Sequence, residues 1–166
     1  NSLVTSKVIY AVPGVPWEMK EMMLGTILPD LQQRAGISAV IASRTLRTWG
    51  ESESALAEIL HDRIGELDAI GNPTLAFLAS GMEGLKVRIT AKGETRELVD
   101  AALAAEEVIV RDLLGDLIFG VDDDTMESVV LGMLKERNLT LGVAESLTGG
   151  MIGSRISSVP GASQVF

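Results

Sequence analysis

One eight-residue run constrains the fold more than any other: Leu85-Lys-Val-Arg-Ile-Thr-Ala-Lys92 alternates apolar and polar side chains without a break. A period of two puts Leu85, Val87, Ile89 and Ala91 on one face and Lys86, Arg88, Thr90 and Lys92 on the other, as in a half-buried antiparallel strand. Its surroundings must supply partner strands and a helical cover. "SAVIASRTLRTWG", from Ser38, is β-branched and extended, and residues 74–79 form a second apolar run after the stop signal Gly71-Asn72-Pro73. "SESALAEILHDRIGEL" brings Leu56, Ile59, Leu60, Ile64 and Leu67 to one helical face, with His61 beside the stripe. A longer helix over residues 95–114 gathers Leu98, Val99, Ala102, Leu103, Val110 and Leu113, and a short strand over residues 117–119 follows. The order strand-helix-strand-strand-helix-strand is a split βαβ sandwich with a single helical layer over a small sheet.

The flanks belong to other units. Residues 8–12 read as a strand, Pro13-Gly14 as a turn and Pro16 as the first turn of a helix whose core stripe is Met19, Met22, Met23 and Ile27, weakened by Pro29 near its end. After the sandwich, Asp124 and Glu127 have capping-box spacing, Asp122–Asp124 reads as a solvated turn, and Met126, Val129, Val130, Met133 and Leu134 form a buried stripe. Asn138 ends that helix, Leu139, Leu141 and Val143 form a strand, and a helix starts after Gly149-Gly150. The expected fold class is mixed, α/β and α+β. The chain opens on Asn1 rather than Met, and each flank holds a single strand, so a fragment of a longer protein is expected.

Composition removes several chemistries. With no Cys there is no disulfide, thiolate nucleophile or Cys-based zinc site among these residues, which fits a reducing cytosol. The one histidine, His61, excludes a His cluster or a Ser-His-Asp triad within one chain. A net charge of −9 argues against nucleic acid as a partner. No apolar run reaches the ~20 residues that span a bilayer, so no membrane partner and a cytoplasmic location are expected.

The sharpest motif is "AESLTGG" (144–150). A strand feeding a helix through a glycine-rich turn aims backbone N–H groups at one point, where a phosphate or a developing oxyanion can sit. Ser146 at its tip has the exposure a nucleophile needs; tight strand–helix packing is the alternative. No His is available to activate it, and Lys135, in the preceding helix, has no evident reason to face the turn. "VPGAS" (159–163) is a second small-residue turn, either ordinary or returning toward the same ligand. "PGVPWEM" puts Glu18 in a first helical turn, as a cap or at the edge of a substrate or cation site. "GMEG" is similar to the Gly-x-x-Gly loop of KH domains, but it joins two strands and contains Glu83, so Lys86, Arg88 and Lys92 read as a solvated strand face.

Together "PGVPWEM", "RTLRTWGESESALAEIL", "NPTLAFLASGMEGLKVRITAKGE", "GDLIFGVDDDTMESVV" and "AESLTGGMIGSRISSVPGASQVF" resemble the competence/damage-inducible CinA family, over nearly the whole chain and in the family's order. The resemblance implies three parts: residues 1–36, the C-terminal end of a molybdopterin-binding-like α/β domain with ADP-ribose pyrophosphatase activity; residues 37–121, a complete βαββαβ KH-like middle domain; and residues 122–166, the start of an α/β nicotinamide mononucleotide (NMN) deamidase domain. It implies Ser146 as nucleophile, Glu145, Thr148, Gly149, Gly150, Gly161, Ala162 and Ser163 as substrate-binding residues, and Pro13, Gly14, Pro16 and Glu18 as the rim of the pyrophosphatase site. Trp17 departs from the small residue usual in the family. The deamidase needs no cofactor and the pyrophosphatase takes a divalent metal; the family's Tyr and general-base Lys lie past Phe166, so this stretch alone is expected to be inactive. NMN and ADP-ribose are the implied substrates and a homodimer the expected assembly. An interaction protein in competence or DNA repair, docking a recombination partner through the middle domain, is the alternative.

Overall fold

The computed structural model describes residues 7–36, 39–79 and 81–166, in two compact units that divide between Ala39 and Val40. Ser38, the start expected for the extended run, lies outside the described residues.

In the first unit residues 7–13 carry no regular secondary structure. The strand expected at 8–12 is therefore absent: no partner strand among the described residues of this unit takes up its N–H and C=O groups. The helix forms as α1 (Pro16–Met22), a π-helical turn (Met23–Ile27) and α2 (Leu28–Ala35), which ends on Gly36 in the left-handed region. Pro29 would break a regular helix by removing one hydrogen bond and crowding the preceding turn; here the turn widens, and Leu28 N–H donates to the Met23 carbonyl five residues back. The wider turn also shifts the stripe, so Ile27 is buried while Met22 is exposed. Tyr10 Oη donates to the Asp30 carboxylate, which also pairs with Arg34 Nε at 2.7 Å.

The second unit carries a four-stranded antiparallel sheet in the order β2-β3-β1-β4, from β1 (Val40–Thr48), β2 (Thr74–Ala79), β3 (Leu85–Gly93) and β4 (Ile118–Val121). The alternating run is β3, and its register with β1 is unbroken from Val40 opposite Gly93 to Thr48 opposite Leu85. Opposed residues share a face, so Ala42 and Leu46 join Val87, Ile89 and Ala91 beneath the helices. That core is closed by Leu56 of α3 (Glu53–Ile59), Leu60 at the junction with α4 (His61–Ile70), and Val99, Leu103, Val110 and Leu114 of α5 (Arg96–Leu114). Full burial of each such side chain contributes about 1.5–3 kcal/mol. Ser52 and Thr95 cap α3 and α5 by accepting from Ala55 and Leu98 N–H.

Three details depart from the sequence reading. The first helix is two, broken at Leu60, which leaves Ile59 outside the stripe and 40% exposed. Leu98 and Leu113 of α5 face solvent, while Glu106 on the same helix is 2% exposed and takes a bidentate pair from Arg63 of α4, Nε to Oε1 at 2.9 Å and Nη2 to Oε2. This fork, with Glu66 as a further acceptor, raises the Arg63 guanidinium above its ordinary value. Third, β4 runs one residue later than the strand read at 117–119 and reaches Val121.

The middle turn explains its glycine. Gly84 has φ +79, and a Cβ there would lie 2.4 Å from the Thr48 carbonyl oxygen of β1. "GMEG" is thus a short 3-10 turn, Gly81–Glu83, closed by a glycine the neighbouring strand requires, and Glu83 pairs with Arg47 at 3.0 Å and Lys86 at 3.2 Å.

The triple Asp is structural as well as solvated. Asp122, at φ 51, accepts the Thr45 N–H at 2.8 Å and returns its own N–H to the Thr45 carbonyl at 2.7 Å, and Arg47 Nε donates to the Asp122 carbonyl. Asp124 accepts the Val121 N–H and is not the cap; Thr125 and Ser128 form the capping box of α6 (Met126–Glu136). At its other end Asn138, left-handed, closes a Schellman turn: Asn138 and Leu139 N–H donate to the Lys135 and Leu134 carbonyls. The buried residue of α6 is Leu131, which packs with Ile156, Ala162 and Val165, while Met133 is 43% exposed.

Two stability predictions follow from these contacts. Gly84→Ala should lower stability by about 2 kcal/mol or more, combining a left-handed φ with a backbone clash, and denaturant unfolding measures it. Arg63→Met, stranding the Glu106 carboxylate, should cost about 3 kcal/mol, and adding Glu106→Leu should recover most of that loss in the same assay.

Candidate functional site

The region 139–166 is built around a turn rather than a strand. Leu139, Leu141 and Val143 do not form the expected strand; the segment makes one backbone bond to the C-terminal residues, Leu141 N–H to the Val165 carbonyl at 2.7 Å. No sheet partner lies beside it among the described residues, so the alternation of its side chains finds no ladder to join. Residues 144–150 then turn into α7 (Met151–Ser157), with Leu147, Gly149 and Gly150 all at positive φ.

The expected helix start is present, and its N–H groups are already engaged. Glu145 folds over the start of α7 and accepts Ile152 N–H at 2.9 Å on Oε2 and Gly153 N–H at 2.8 Å on Oε1. Thr148 Oγ1 donates to Glu145 Oε2 at 2.6 Å and accepts the Gly150 N–H at 3.3 Å. The Thr148 hydroxyl, with the Gly153 and Ile152 amides behind it, holds the Glu145 carboxyl below its ordinary range. Glu145 and Thr148 thus both make intramolecular bonds in this structure.

Ser146 sits between them and is exposed, and its hydroxyl hydrogen-bonds no other described residue. Leu147 beside it is fully exposed at a left-handed φ of 64, a costly conformation for a bulky side chain. The four bonds around Glu145 and Thr148 hold the turn in that shape. Lys135 is exposed near the end of α6 and makes no hydrogen bond to Ser146.

The second turn stands differently. Gly161 is left-handed at φ 84, Ala162 is a core residue packed with Leu131, Ile156 and Val165, and Ser163 is exposed. Among the described residues no hydrogen bond joins Gly161, Ala162 or Ser163 to the turn that carries Ser146. In the first unit Pro13 and Glu18 are half-buried, Gly14 and Pro16 are exposed, and Pro16 opens α1 with Glu18 in its first turn. Trp17 is 63% exposed.

Sequence reasoning missed a cavity of about 500 Å³ between the sheet and the α6–α7 pair, walled by Trp49, Phe119, Met126 and Ile152 and by the ion pairs Arg47–Glu83 and Arg155–Glu127. Ser146 does not line it. Burial works to raise the Glu127 carboxyl, but its own N–H, Arg155 and Thr125 outweigh it, and the carboxyl lies below its ordinary range. No local sequence signal marks the cavity, because its walls come from four separated segments.

No helix of the described residues is long and apolar enough to cross a membrane. Among the same residues no group of three or more His, Asp or Glu is gathered to hold a metal ion.

Comparison with known proteins accounts for these elements. Residues 43–120 match the family model "Damage-inducible protein CinA KH domain", and residues 123–166 match "CinA C-terminal domain". A CinA-like protein of Frankia casuarinae is 49% identical over 159 residues, 96% of this chain. A CinA-like protein of a Synechococcus strain is 44% identical over 158 residues, and a putative competence-damage inducible protein of Moorella thermoacetica 40% identical over 160, covering 95% and 96% of this chain. The chain belongs to the CinA family. It spans 36–37% of the length of these three relatives.

The Glu145 arrangement has a pH signature. A carboxyl whose folded value is depressed adds stability above its unfolded value, and loses it as pH falls through the folded one. The Ile152 and Gly153 amide 15N shifts should therefore titrate together, with a midpoint below the ordinary glutamate value of 4.5, when followed by heteronuclear NMR.

Proposed function

We propose that this chain is part of a CinA-like enzyme in which Ser146 is the nucleophile of an NMN deamidase. The observation that carries the reading is the Ser146 hydroxyl: exposed and uncommitted, on a turn whose neighbouring polar groups are hydrogen-bonded around it. The match to the CinA C-terminal domain supports the assignment.

In this reading Ser146 Oγ attacks the carboxamide carbon of the nicotinamide ring. The C–N bond breaks, ammonia leaves, and the acyl ester on Ser146 is hydrolysed by water to nicotinate mononucleotide and free serine. Backbone N–H groups of the turn meet the developing oxyanion, and Thr148, Gly149, Gly150 and the 161–163 turn lie along the nucleotide. The proton acceptor in this reading is the family's general-base Lys, which the resemblance places past Phe166.

The ADP-ribose pyrophosphatase activity belongs in this proposal to the domain of which residues 1–36 are the end. That activity takes a divalent metal, and Pro13, Gly14, Pro16 and Glu18 are the proposed rim of its site. A cytoplasmic homodimer acting on NMN and ADP-ribose completes the reading. The second reading, an interaction protein of competence or DNA repair with degenerate catalytic sites, takes only the words competence-damage inducible from the name of the Moorella relative.

Ammonia release from NMN by the full-length protein separates the two. The wild type should turn over, and Ser146→Ala should lower kcat by roughly 10³-fold or more. Undiminished release by Ser146→Ala, or none from the wild type, sinks the deamidase assignment.

A further inference from the structure

A phosphorylated substrate and a glycine-rich turn at a helix start invite one assumption, that the substrate's phosphate sits on the helix N–H groups. Here the protein's own carboxylate occupies that position. Ile152 and Gly153, the second and third residues of α7, give their N–H groups to the two oxygens of Glu145, and the Thr148 hydroxyl adds a third bond to one of them. A phosphate brought to the same amides would have to displace Glu145 or approach it as a like charge, either of which opposes binding.

The bonds also span the residues between them. Glu145 and Thr148 bracket Ser146 and Leu147, and the hydrogen bond between their side chains closes that four-residue loop at 2.6 Å. Leu147 at φ 64 with its side chain in solvent has no packing of its own to hold it. The Thr148 hydroxyl is committed in both directions, donating to Glu145 and accepting from Gly150. The backbone that carries Ser146 is therefore held at both ends by hydrogen-bonded side chains.

We propose that Glu145 is a positioning residue, which aims Ser146 by clamping the 145–148 loop onto α7, and that the substrate phosphate is bound away from the start of this helix. The inference rests on Ser146 being the nucleophile, and it replaces the substrate-binding role that the family resemblance gives to Glu145. It requires an acceptor at both carboxylate oxygens. A glutamine keeps one acceptor and turns an N–H₂ toward an amide N–H or the Thr148 hydroxyl, so the isosteric change alone opens the clamp.

The test compares Glu145→Gln and Glu145→Asp with wild type and Ser146→Ala in full-length protein. A misaimed nucleophile costs rate rather than affinity, so Glu145→Gln should lower kcat about 10²-fold with KM for NMN within twofold of wild type. Glu145→Asp, which keeps both acceptors on a shorter arm, should recover part of that rate. A KM that rises tenfold at unchanged kcat would instead make Glu145 a substrate ligand and overturn the proposal. Tighter inhibition of Glu145→Gln than of wild type by inorganic phosphate would return the helix start to the phosphate and overturn its second half.

Amide hydrogen exchange keeps the clamp testable apart from the activity. Glu145→Gln should speed exchange at Ile152 and Gly153 about tenfold or more, with Val87 of β3 and Val99 of α5 unchanged. Unaltered exchange at Ile152 and Gly153 overturns the clamp even if the deamidase assay succeeds. A wild type without deamidase activity, or an unaffected Ser146→Ala, leaves this exchange result intact and fails only the reading of Ser146.

Discussion

The second unit depends on the nine-residue ladder between β1 and β3. Its register puts Ala42 and Leu46 opposite Ala91 and Val87 on the helix-covered face, and by the same alternation puts Arg47 opposite Lys86 on the other. A slip of β1 by one residue would exchange its faces, turning Arg47 toward the aliphatic core and exposing Leu46. Gly84 protects the register at its turn end, where only a hydrogen fits beside the Thr48 carbonyl. The helices have a surface to cover because this ladder is in place.

From β1 the same alternation reaches the C-terminal portion. Arg44 shares the core face with Ile89, but its guanidinium extends to Glu107 of α5 and to Asp122 at 3.3 Å, and Arg47 donates to the Asp122 carbonyl. Asp122 in turn exchanges backbone and side-chain bonds with Thr45. The turn that launches α6 is thus bound to the central strand by charge-assisted bonds, which are stronger than neutral ones. Among the described residues no buried side-chain polar atom lacks a partner. Farther along, the Arg155–Glu127 pair joins α7 to α6. Glu145 repeats that economy at the start of α7, where a carboxylate meets amides that would otherwise face water.

Much of this was legible in the sequence. The perfect alternation of 85–92 identified β3 because a period of two has one structural meaning when one face is buried. The helices over 53–70 and 96–114 were visible as apolar stripes, but not the fate of each residue: Ile59, Leu98 and Leu113 fit the stripes and face solvent. Glu106 occupies the stripe position between Leu103 and Val110 and is buried there; its partner Arg63 comes from another helix, and pairing across separated helices leaves no local mark. The strands expected at 8–12 and 139–143 failed for a related reason. Strand character is a property of a pair, and among the described residues neither segment has a partner.

At the candidate site the division is similar. "AESLTGG" announced a turn into a helix, and the exposure of Ser146 and the left-handed glycines agree with it. What the helix start holds was not readable, since a carboxylate beside a glycine turn serves equally to meet a ligand or to cap its own helix. Sequence by itself determined the helical stripes, the alternating strand β3 and the turn into α7, because local periodicity and turn chemistry act within a few residues. Only the tertiary structure decided which charges are buried, which stripes find a core, and that Glu145 lies over α7, because those outcomes depend on which atoms distant segments bring within hydrogen-bond reach.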